Sequence, residues 1–197
     1  MESKKISVLF VGNSYTSFNN MPQTFFVDIA KEANYDVEVT AITHGGYRLC
    51  QYADPENEEG KRVREVTAGK RYDFAVLQDQ SFNPIVNEET FLEGVKGLIA
   101  VINADKFILY ATWGRNDDNP LLAELGLTRM EMTEKLSLAY NKAGKLYGAD
   151  VAEVGKAFAE YVIDHDKSDI YLPDRSNHPT PLGSKIAAKV LFEQMVE

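Results

Sequence analysis

Largely apolar runs of four to six residues alternate along the chain with longer stretches in which apolar residues recur at helical spacing. The apolar runs are the predicted strands, and they cover residues 6–11, 37–42, 74–77, 107–111 and 151–154. The predicted helices cover residues 22–33, 56–68, 88–103, 128–147 and 181–195. Continuous apolar runs are typical of strands buried on both faces. The alternation therefore predicts an α/β protein, a three-layer α/β/α sandwich around a mainly parallel, five-stranded sheet.

Capping residues mark the start of two of these helices. Thr128 is followed three residues later by Glu131, which is the capping-box pattern. Thr180 followed by Pro181 marks the start of the last helix, because proline is favoured in a first helical turn. The longest loops are expected at residues 47–57, 113–126 and 164–177. No internal repeat or low-complexity linker divides the sequence, so we expect a single domain over residues 1–197.

Composition and charge limit the kinds of molecule that this protein is expected to bind. The 197 residues are 44% hydrophobic and 11% aromatic, which is enough to bury a full core. The 30 acidic and 21 basic residues give a formal net charge of −9, and no basic cluster interleaved with aromatic residues stands out. Nucleic acids and anionic membrane surfaces are therefore poor partners.

Cysteine usage and the first residues bear on the cellular compartment. Cys50 is the single cysteine, which excludes an internal disulfide, and no paired Cys or His spacing indicates a metal site. The apolar run after Lys4 and Lys5 is too short for a signal peptide and leads directly into a polar turn. No apolar run approaches the roughly 20 residues that span a bilayer. We expect a cytoplasmic protein.

Polar residues follow each of the first four predicted strands. In doubly wound sheets the ligand crevice lies outside the carboxyl ends of the strands, so these residues are the candidates for chemistry. They are residues 12–14 (Gly-Asn-Ser), 44–48 (His-Gly-Gly-Tyr-Arg), 78–81 (Gln-Asp-Gln-Ser) and 113–117 (Trp-Gly-Arg-Asn-Asp). Near the other end, Asp174 and His178 lie just before the last helix.

Ser14, His178 and Asp174 are the residue types of a nucleophilic triad. A serine hydroxyl is a weak nucleophile, so it needs a base in hydrogen-bond reach and donors aimed at the oxyanion. Ser14 would attack, His178 would accept its proton, and Asp174 would hold the imidazole in the correct tautomer. The pattern predicts acyl transfer by a serine hydrolase, with no metal or organic cofactor.

Three kinds of group could donate to that oxyanion. They are the backbone N–H of Ser14, the N–H of Gly45 or Gly46, and the side-chain amide of Gln78 or Gln80. Both glutamines should point the same way if the strand stays extended. We favour Gln80, because it lies further toward the crevice.

Residues 12–14 and the residues that follow them resemble the conserved blocks of the SGNH hydrolases, also called GDSL-like esterases and lipases. The first block of that family is Gly-Asp-Ser, which is similar to residues 12–14 with Asn in place of Asp. Gly46 is the nearest match to the oxyanion glycine of the second block, and Asp174 with His178 resembles the Asp-x-x-His before the last helix. The blocks arrive in family order over essentially the whole chain. The resemblance implies the flavodoxin-like SGNH hydrolase fold and an oxyanion hole completed by an amide.

The sequence departs from the family pattern at two places. The third block is Gly-x-Asn-Asp after the third strand, whereas residues 77–81 read Leu-Gln-Asp-Gln-Ser, so a glutamine must replace the asparagine. A literal Gly-x-Asn-Asp at residues 114–117 follows the fourth strand, which leaves Asn116 as an alternative amide donor. Asp174 lies four residues before His178 where the family has three, and Asp169 is the alternative acid.

Further residues at the strand ends have two interpretations, which are contact with the substrate and an ordinary structural role. Asn13, Tyr47 and Trp113 are expected to line the substrate pocket, although both aromatic rings also fit a core at the edge of the sheet. Arg48 and Arg115 are suited to contact an anionic or sugar substrate, but a surface position is the ordinary interpretation of an arginine.

Two histidines and the cysteine compete for catalytic roles. His165 lies between two aspartates in a charged stretch that is typical of a solvated loop, and His44 fits a residue that shapes the second loop. Cys50 has no histidine in a defined relation to it, so a small buried residue is the better interpretation.

The function that these residues predict is hydrolysis of small acyl esters, acetyl esters above all, on a carbohydrate or another small polar molecule. No apolar lid or interfacial helix supports action on long acyl chains. One alternative is a flavodoxin-like protein whose residues 13–17 wrap a phosphate, as in flavin binding. Another is a noncatalytic carbohydrate-binding relative, which the spacing of the aspartate favours. The sequence does not indicate the oligomeric state.

Overall fold

The computed structural model describes residues 3–196, and its strands form a five-stranded sheet in which every pairing is parallel. The strands are β1 (Lys4–Gly12), β2 (Tyr35–Thr43), β3 (Tyr72–Leu77), β4 (Ala104–Tyr110) and β5 (Asp150–Ala152). Their order in the sheet is β2-β1-β3-β4-β5. The predicted parallel sheet is confirmed, and its strand order is that of flavodoxin-like doubly wound folds.

Helices cover both faces of the sheet. They are α1 (Ser14–Ser17), α2 (Phe25–Glu32), α3 (Leu49–Ala53), α4 (Glu58–Thr67), α5 (Asn83–Val86), α6 (Glu88–Val101), α7 (Pro120–Leu125), α8 (Arg129–Tyr147), α9 (Val154–His165) and α10 (Pro181–Val196). The core on one face is closed by α2, α9 and α10, and the core on the other by α3, α4, α6 and α8. The three-layer sandwich is therefore confirmed. Within residues 3–196, no helix has both the length and the apolar character needed to cross a bilayer.

The apolar run of β1 supplies both cores because successive side chains on a strand point to opposite faces. Val8 and Phe10 pack into the core under α2 and α10. Leu9 and Val11 pack into the core under α3 and α6. All four side chains are essentially inaccessible to solvent, which explains why this strand lacks the alternation of a half-exposed strand.

Side-chain caps fix two helix starts where the sequence predicted them. Thr128 Oγ1 accepts the N–H of Glu131 at 3.2 Å, and Glu131 Oε2 accepts the N–H of Thr128 at 2.8 Å, so the capping box is confirmed. Thr180 Oγ1 accepts the N–H of Gly183 at 3.3 Å in the first turn of α10. This cap fixes where α10 begins, and therefore where the loop that carries His178 ends.

The structure differs from the predicted elements mainly at α9, a helix of 12 residues that starts where the last strand was expected to end. The residue before it, Glu153, makes no side-chain cap; its carboxylate instead accepts from Ser137 and Asn141 on α8. The same carboxylate accepts from Nζ of Lys156 in the first turn of α9 at 3.1 Å, but no side-chain cap marks the start of this helix. Two of the predicted long loops contain a short helix each, α3 and α7.

Gly94 lets α6 approach α3 closely. A Cβ built on Gly94 would lie 2.4 Å from the backbone nitrogen of Cys50 and 2.6 Å from the carbonyl carbon of Leu49. These are backbone atoms that cannot rotate away. Because α3 directly follows the loop of Gly45 and Gly46, this packing also fixes one side of the strand-end crevice.

We expect Gly94→Ala to lower the free energy of unfolding by about 1–3 kcal/mol through overpacking, although alanine has the better helix propensity by about 1 kcal/mol. Urea titration followed by circular dichroism measures the difference. The control is Gly45→Ala, whose Cβ would meet nothing within 4 Å, and it should change stability by less than about 0.5 kcal/mol. Equal stability of Gly94→Ala and wild type would contradict the close packing.

Candidate active site

A cavity of about 630 Å³ lies at the carboxyl ends of the strands. β1 and β3 are neighbours, but the chain leaves β1 toward α2 on one face and β3 toward α6 on the other. A crevice opens at such a switch point. The cavity is lined by residues from the ends of the first four strands and from the last loop, among them Ser14, Gly46, Gln80, Arg115 and His178.

Ser14, His178 and Asp174 form a chain of hydrogen bonds at this cavity. The Oγ atom of Ser14 lies 2.8 Å from Nε2 of His178. The Nδ1 atom of His178 lies 2.9 Å from Oδ2 of Asp174. Ser14 is the first residue of α1, directly after β1, so the sheet edge holds its hydroxyl at the cavity wall.

A tight turn explains how an aspartate four residues before the histidine reaches the imidazole. Oδ1 of Asp174 accepts the N–H of Ser176 at 2.8 Å and the N–H of His178 at 3.2 Å. The intervening residues wrap around the carboxylate, as in Asx turns, and leave Oδ2 for the ring. Asp169, the alternative acid, has its carboxyl group hydrogen-bonded to the side chain of Tyr161, whereas the imidazole is bonded to Asp174.

The environment keeps the Asp174 carboxylate ionised. Partial burial pulls its pKa upward, but hydrogen bonds from the ring and backbone of His178 outweigh that effect, so the pKa lies below its usual value. An ionised carboxylate on Nδ1 keeps the proton on that nitrogen. Nε2 of the neutral ring is then free to accept from Ser14.

Aromatic rings hold the imidazole in place. Phe18 stacks on His178 with ring centroids 4.4 Å apart and an angle of 10° between the planes. Tyr15 meets the same ring edge-on at 5.8 Å, and its hydroxyl donates to the carbonyl of Ser176. Phe18 and Tyr15 were not among the predicted site residues, because an aromatic residue after a strand end looks the same whether it packs in the core or against the ring of a site histidine.

Asn177 ties the His178 loop to the segment after β4. It adopts a left-handed φ of 45°, which asparagine tolerates better than most residues. Its Oδ1 accepts from the N–H of Asn116 and from Nδ2 of Asn119, both at 2.9 Å, and its Nδ2 donates to the carbonyl of Leu172 at 3.1 Å. Its own carbonyl accepts from Nε1 of Trp113 at 3.1 Å.

Two residues after β4 lie elsewhere than predicted. Trp113 was expected to line the pocket, but it is fully buried and stacks between Tyr15, at 4.2 Å, and Phe158, at 4.3 Å. Asn116 was the alternative amide donor, but its Nδ2 donates to Asp118 at 2.9 Å and it does not line the cavity. The large aromatic surface of Trp113 favours its burial between two other rings. The Asn116 side chain lies outside the cavity because its hydrogen-bond partner is only two residues away.

The glycine turn after β2 forms one wall of the cavity. Gly45 and Gly46 both line it, and Gly46 has a φ of 75°, a conformation that favours glycine. The N–H of Tyr47 donates to the carbonyl of His44 at 3.2 Å, which closes the turn. Nδ2 of Asn13 donates to the carbonyl of Tyr47 at 3.0 Å and fastens the turn to the end of β1.

Asn13 and Tyr47, expected to contact substrate, have mainly structural contacts. Asn13 borders the cavity, but its Oδ1 accepts the N–H of Tyr15 and its Nδ2 is used by the glycine turn. The Tyr47 ring packs against His44 and Tyr52 and does not line the cavity. The prediction that Tyr47 lines the pocket is therefore corrected, because its ring finds aromatic partners behind the turn.

The buried side chain of Gln78 links the ends of β1 and β3 by hydrogen bonds. It is fully buried, and its Oε1 accepts the N–H of Asn13 at 3.0 Å and the hydroxyl of Thr16 at 2.9 Å. Its Nε2 donates to the carbonyl of Asp79. Since every polar atom of the amide is used in the interior, Gln78 does not reach the cavity as an alternative oxyanion donor.

Gln80 is the glutamine at the cavity wall. Its Oε1 accepts the N–H groups of Phe82, at 3.2 Å, and Asn83, at 3.1 Å. These contacts orient the amide so that Nε2 lies on the other side, 3.4 Å from Oγ of Ser81. Of the two glutamines, Gln80 lines the cavity and Gln78 does not, and the role of Gln80 as oxyanion donor stays a prediction.

Asp79 is a buried carboxylate that joins two walls of the site. Its Oδ1 accepts the N–H of Leu49 at 3.0 Å and of Gln80 at 2.6 Å, and its Oδ2 accepts from Nδ2 of Asn83 at 2.8 Å. Burial raises its pKa to about 6, although these hydrogen bonds oppose the shift. Asp79 was not among the predicted site residues, because nothing in the local sequence distinguishes it from an ordinary polar residue at a strand end.

The competing nucleophile and bases lie away from Ser14. His44 is exposed with Nδ1 3.5 Å from a Glu59 oxygen, and His165 is exposed and stacks on Tyr161; neither lines the cavity. Burial raises the pKa of the Cys50 thiol, which disfavours the reactive thiolate.

Comparisons with known proteins support this description of the fold. No family model matches the chain, and no curated protein matches it. A protein described as a candidate SGNH hydrolase from Slackia heliotrinireducens is 26% identical, with 98% of this chain and 100% of that chain covered and a TM-score of 0.82. The lipase/acylhydrolase from Enterococcus faecalis is 17% identical, with 96% and 95% covered and a TM-score of 0.70.

A third solved structure is a catalytic mutant of an acetylxylan esterase from Geobacillus stearothermophilus. It is 14% identical, with 100% of this chain and 97% of that chain covered and a TM-score of 0.68. The chain therefore has the fold of the SGNH hydrolase superfamily, and the resemblance read from its motifs is confirmed at that level.

The raised pKa of Asp79 predicts a pH dependence of stability. The folded state holds this proton to about pH 6, whereas the unfolded chain releases it near pH 4, so the free energy of unfolding falls between these values as pH rises. The slope is at most about 1.4 kcal/mol per pH unit for one proton. We expect Asp79→Asn to remove this component, because the amide has no proton to lose.

Urea titrations of wild type and Asp79→Asn between pH 4 and 7 measure the component as their difference. Asp105→Asn, at an exposed aspartate paired with Arg71, is the control and should follow wild type across the range. A constant difference between wild type and Asp79→Asn from pH 4 to 7 would show that Asp79 does not titrate there.

Proposed function

We propose that the chain is a serine esterase that removes small acyl groups, acetyl above all, from a carbohydrate or another small polar alcohol. The observation that carries the proposal is the hydrogen-bonded chain from Ser14 through His178 to Asp174 at the wall of an open cavity. The superfamily fold and an acetylxylan esterase among the matching structures support the reaction class.

The reaction follows from this geometry. Oγ of Ser14 attacks the ester carbonyl while Nε2 of His178 accepts its proton and passes it to the departing alcohol oxygen. The acyl group stays on Ser14. Water then attacks the acyl-enzyme, His178 accepts the water proton, and the proton returns to Ser14 as the carboxylic acid leaves. Asp174 stays ionised and stabilises the imidazolium in both steps.

The oxyanion of each tetrahedral intermediate would be held by three donors. They are the N–H groups of Ser14 and Gly46 and Nε2 of Gln80, which lie on three walls of the cavity. Among the described residues, neither N–H group is used in a hydrogen bond. Preorganised donors of this kind are usually the largest single contribution to such catalysis.

The cavity lining supports a short acyl group and a polar alcohol. The polar residues Gln80, Ser81 and Arg115 line it together with the apolar residues Phe82 and Leu121. A long acyl chain would need a continuous apolar channel in their place. We infer that small-molecule or carbohydrate esters are the substrates.

The flavodoxin-like alternative is less well supported. A phosphate held by residues 13–17 would need their hydroxyls, but Ser14 is paired with His178, and the Thr16 hydroxyl donates to Gln78. The noncatalytic alternative rested on the aspartate spacing, which the turn around Asp174 accommodates.

The nucleophile is tested with Ser14→Ala. We expect hydrolysis of p-nitrophenyl acetate to fall by at least about 10³-fold, because Ser14 is the residue whose hydroxyl is bonded to Nε2 of His178. Ser17→Ala, at an exposed serine of the same short helix, is the matched control and should retain wild-type activity within about twofold. Asp174→Asn should lose less activity than His178→Ala if the aspartate only orients the ring. Residual activity of Ser14→Ala above one part in a thousand would reject the nucleophile.

The amide donor is tested with Gln80→Glu, which keeps Oε1 for the backbone N–H groups of Phe82 and Asn83 but replaces the donor by a carboxylate oxygen. We expect kcat for p-nitrophenyl acetate to fall by about 10²–10³ with a smaller change in KM. Gln23→Glu, at an exposed position, controls for the added charge. A kcat within threefold of wild type would remove Gln80 from the oxyanion hole.

A further inference from the structure

Arg115 is a buried cation at the cavity wall. Its side chain is only 3% exposed, yet it lines the cavity. Nη2 donates to Oγ of Ser81 at 2.7 Å, Nη1 donates to the Tyr15 hydroxyl, and Nε has no partner among the described residues. A guanidinium has five N–H donors, so most of its capacity is unused.

None of the described residues forms an ion pair with this guanidinium. Arginines that are taken out of water are normally paired with a carboxylate, since an unpaired buried charge is costly. Within residues 3–196, the arginine ion pairs are those of other arginines, and Arg115 forms none. Glu124, the carboxylate among the lining residues, is 56% exposed at the rim and lies 3.6 Å from Arg175.

The two hydroxyls that Arg115 contacts do not serve as counter-charges. Burial raises the pKa of Tyr15 to about 12, although the nearby guanidinium opposes the shift, so the phenol stays neutral. The Ser81 hydroxyl is neutral as well. A ligand with a negative charge would complete this arrangement, because carboxylates match the guanidinium fork and form its strongest hydrogen bonds.

Arg115 holds this unpaired charge next to the residues proposed to carry out the reaction. Its two contacts are Tyr15, the residue after Ser14, and Ser81, the residue after Gln80. The guanidinium therefore bridges the two strand ends that supply the proposed nucleophile and the proposed amide donor. A group bound to it would lie beside the ester carbonyl.

We propose that Arg115 binds a carboxylate or similar acid group of the substrate, so that the preferred ester is anionic. The inference rests on the proposed esterase function for the reaction but makes its own claim about substrate charge. The acid group belongs either to the acyl part, as in a half-ester of a dicarboxylic acid, or to the alcohol part, as in an acylated hydroxy or sugar acid. Both place a carboxylate within reach of the guanidinium.

The test compares two isosteric pairs of esters. Phenyl hemisuccinate against phenyl levulinate places the charge on the acyl part, and 4-acetoxybenzoate against 4-acetoxybenzamide places it on the alcohol part. We expect kcat/KM of wild type to favour the anionic member of at least one pair by about tenfold or more. The pair that shows the preference identifies which part of the substrate carries the acid group. No preference in either pair would overturn the proposal.

The variant Arg115→Met should bring that ratio close to one, and Arg115→Lys should keep part of it. Arg71→Met removes an exposed arginine from the opposite end of β3 and should leave the ratio unchanged, which controls for net charge. A ratio that persists in Arg115→Met would assign the preference to another group. If Arg115→Met fails to fold, Arg115→Gln decides the same point, because glutamine keeps donors for Ser81 and Tyr15 but carries no charge, so the ratio should again fall close to one.

A binding measurement separates this inference from the esterase proposal. Calorimetric titration of Ser14→Ala with 4-acetoxybenzoate, 4-acetoxybenzamide, phenyl hemisuccinate and phenyl levulinate requires no turnover. Tighter binding of an anionic member by about tenfold, lost in Ser14→Ala with Arg115→Met, would support the anion site even if wild type hydrolysed no ester. Ser14-dependent hydrolysis with equal binding of both members of each pair would leave the esterase standing and reject the anion site.

Discussion

The parallel pairing of β1 with β3 is the constraint on which the site depends. It places the residues after both strands side by side, and the buried amide of Gln78 fastens the two ends by accepting from Asn13 and Thr16. The fit leaves no room for a side chain on Gly12, where a Cβ would lie 2.6 Å from Oγ1 of Thr16 and 2.8 Å from Oε1 of Gln78. The start of α1 is thereby fixed relative to the sheet.

The third side of the site is an irregular loop, and it is held by a different kind of interaction. Helices and strands satisfy their own backbone groups, but a loop needs side-chain partners for them. Asn177 and Asn119 supply these partners, while Trp113 donates to the loop from the core. Stacking of Phe18 on His178 adds orientation without consuming a ring nitrogen. The imidazole is thus positioned by contacts that leave its two nitrogens free to bond with Ser14 and Asp174.

The sequence was sufficient where the signal is local. Five strands and the capped starts of α8 and α10 could be predicted, because apolar runs and caps are short-range features. The strand-end and loop motifs likewise indicated Ser14, His178 and Asp174, which are hydrogen-bonded to one another at the cavity. The prediction was incomplete where burial depends on distant partners. Glu153 gives α9 no cap because it bonds to α8, Trp113 is drawn into the core by Phe158, and Arg115 is enclosed by residues from two other strand ends. These partners are distant in the sequence, so no short segment of the chain indicates them.

The hydrogen bond between Ser14 and His178 joins residues that are 164 positions apart in the chain. Most of the sheet can pair before His178 has been synthesised, since β1 through β4 and their helices precede it by many residues. A partly folded chain therefore exposes a serine with no base beside it. The hydrogen-bonded set of Ser14, His178 and Asp174 is complete only when the last loop docks, so any chemistry that depends on this set is confined to the fully folded chain.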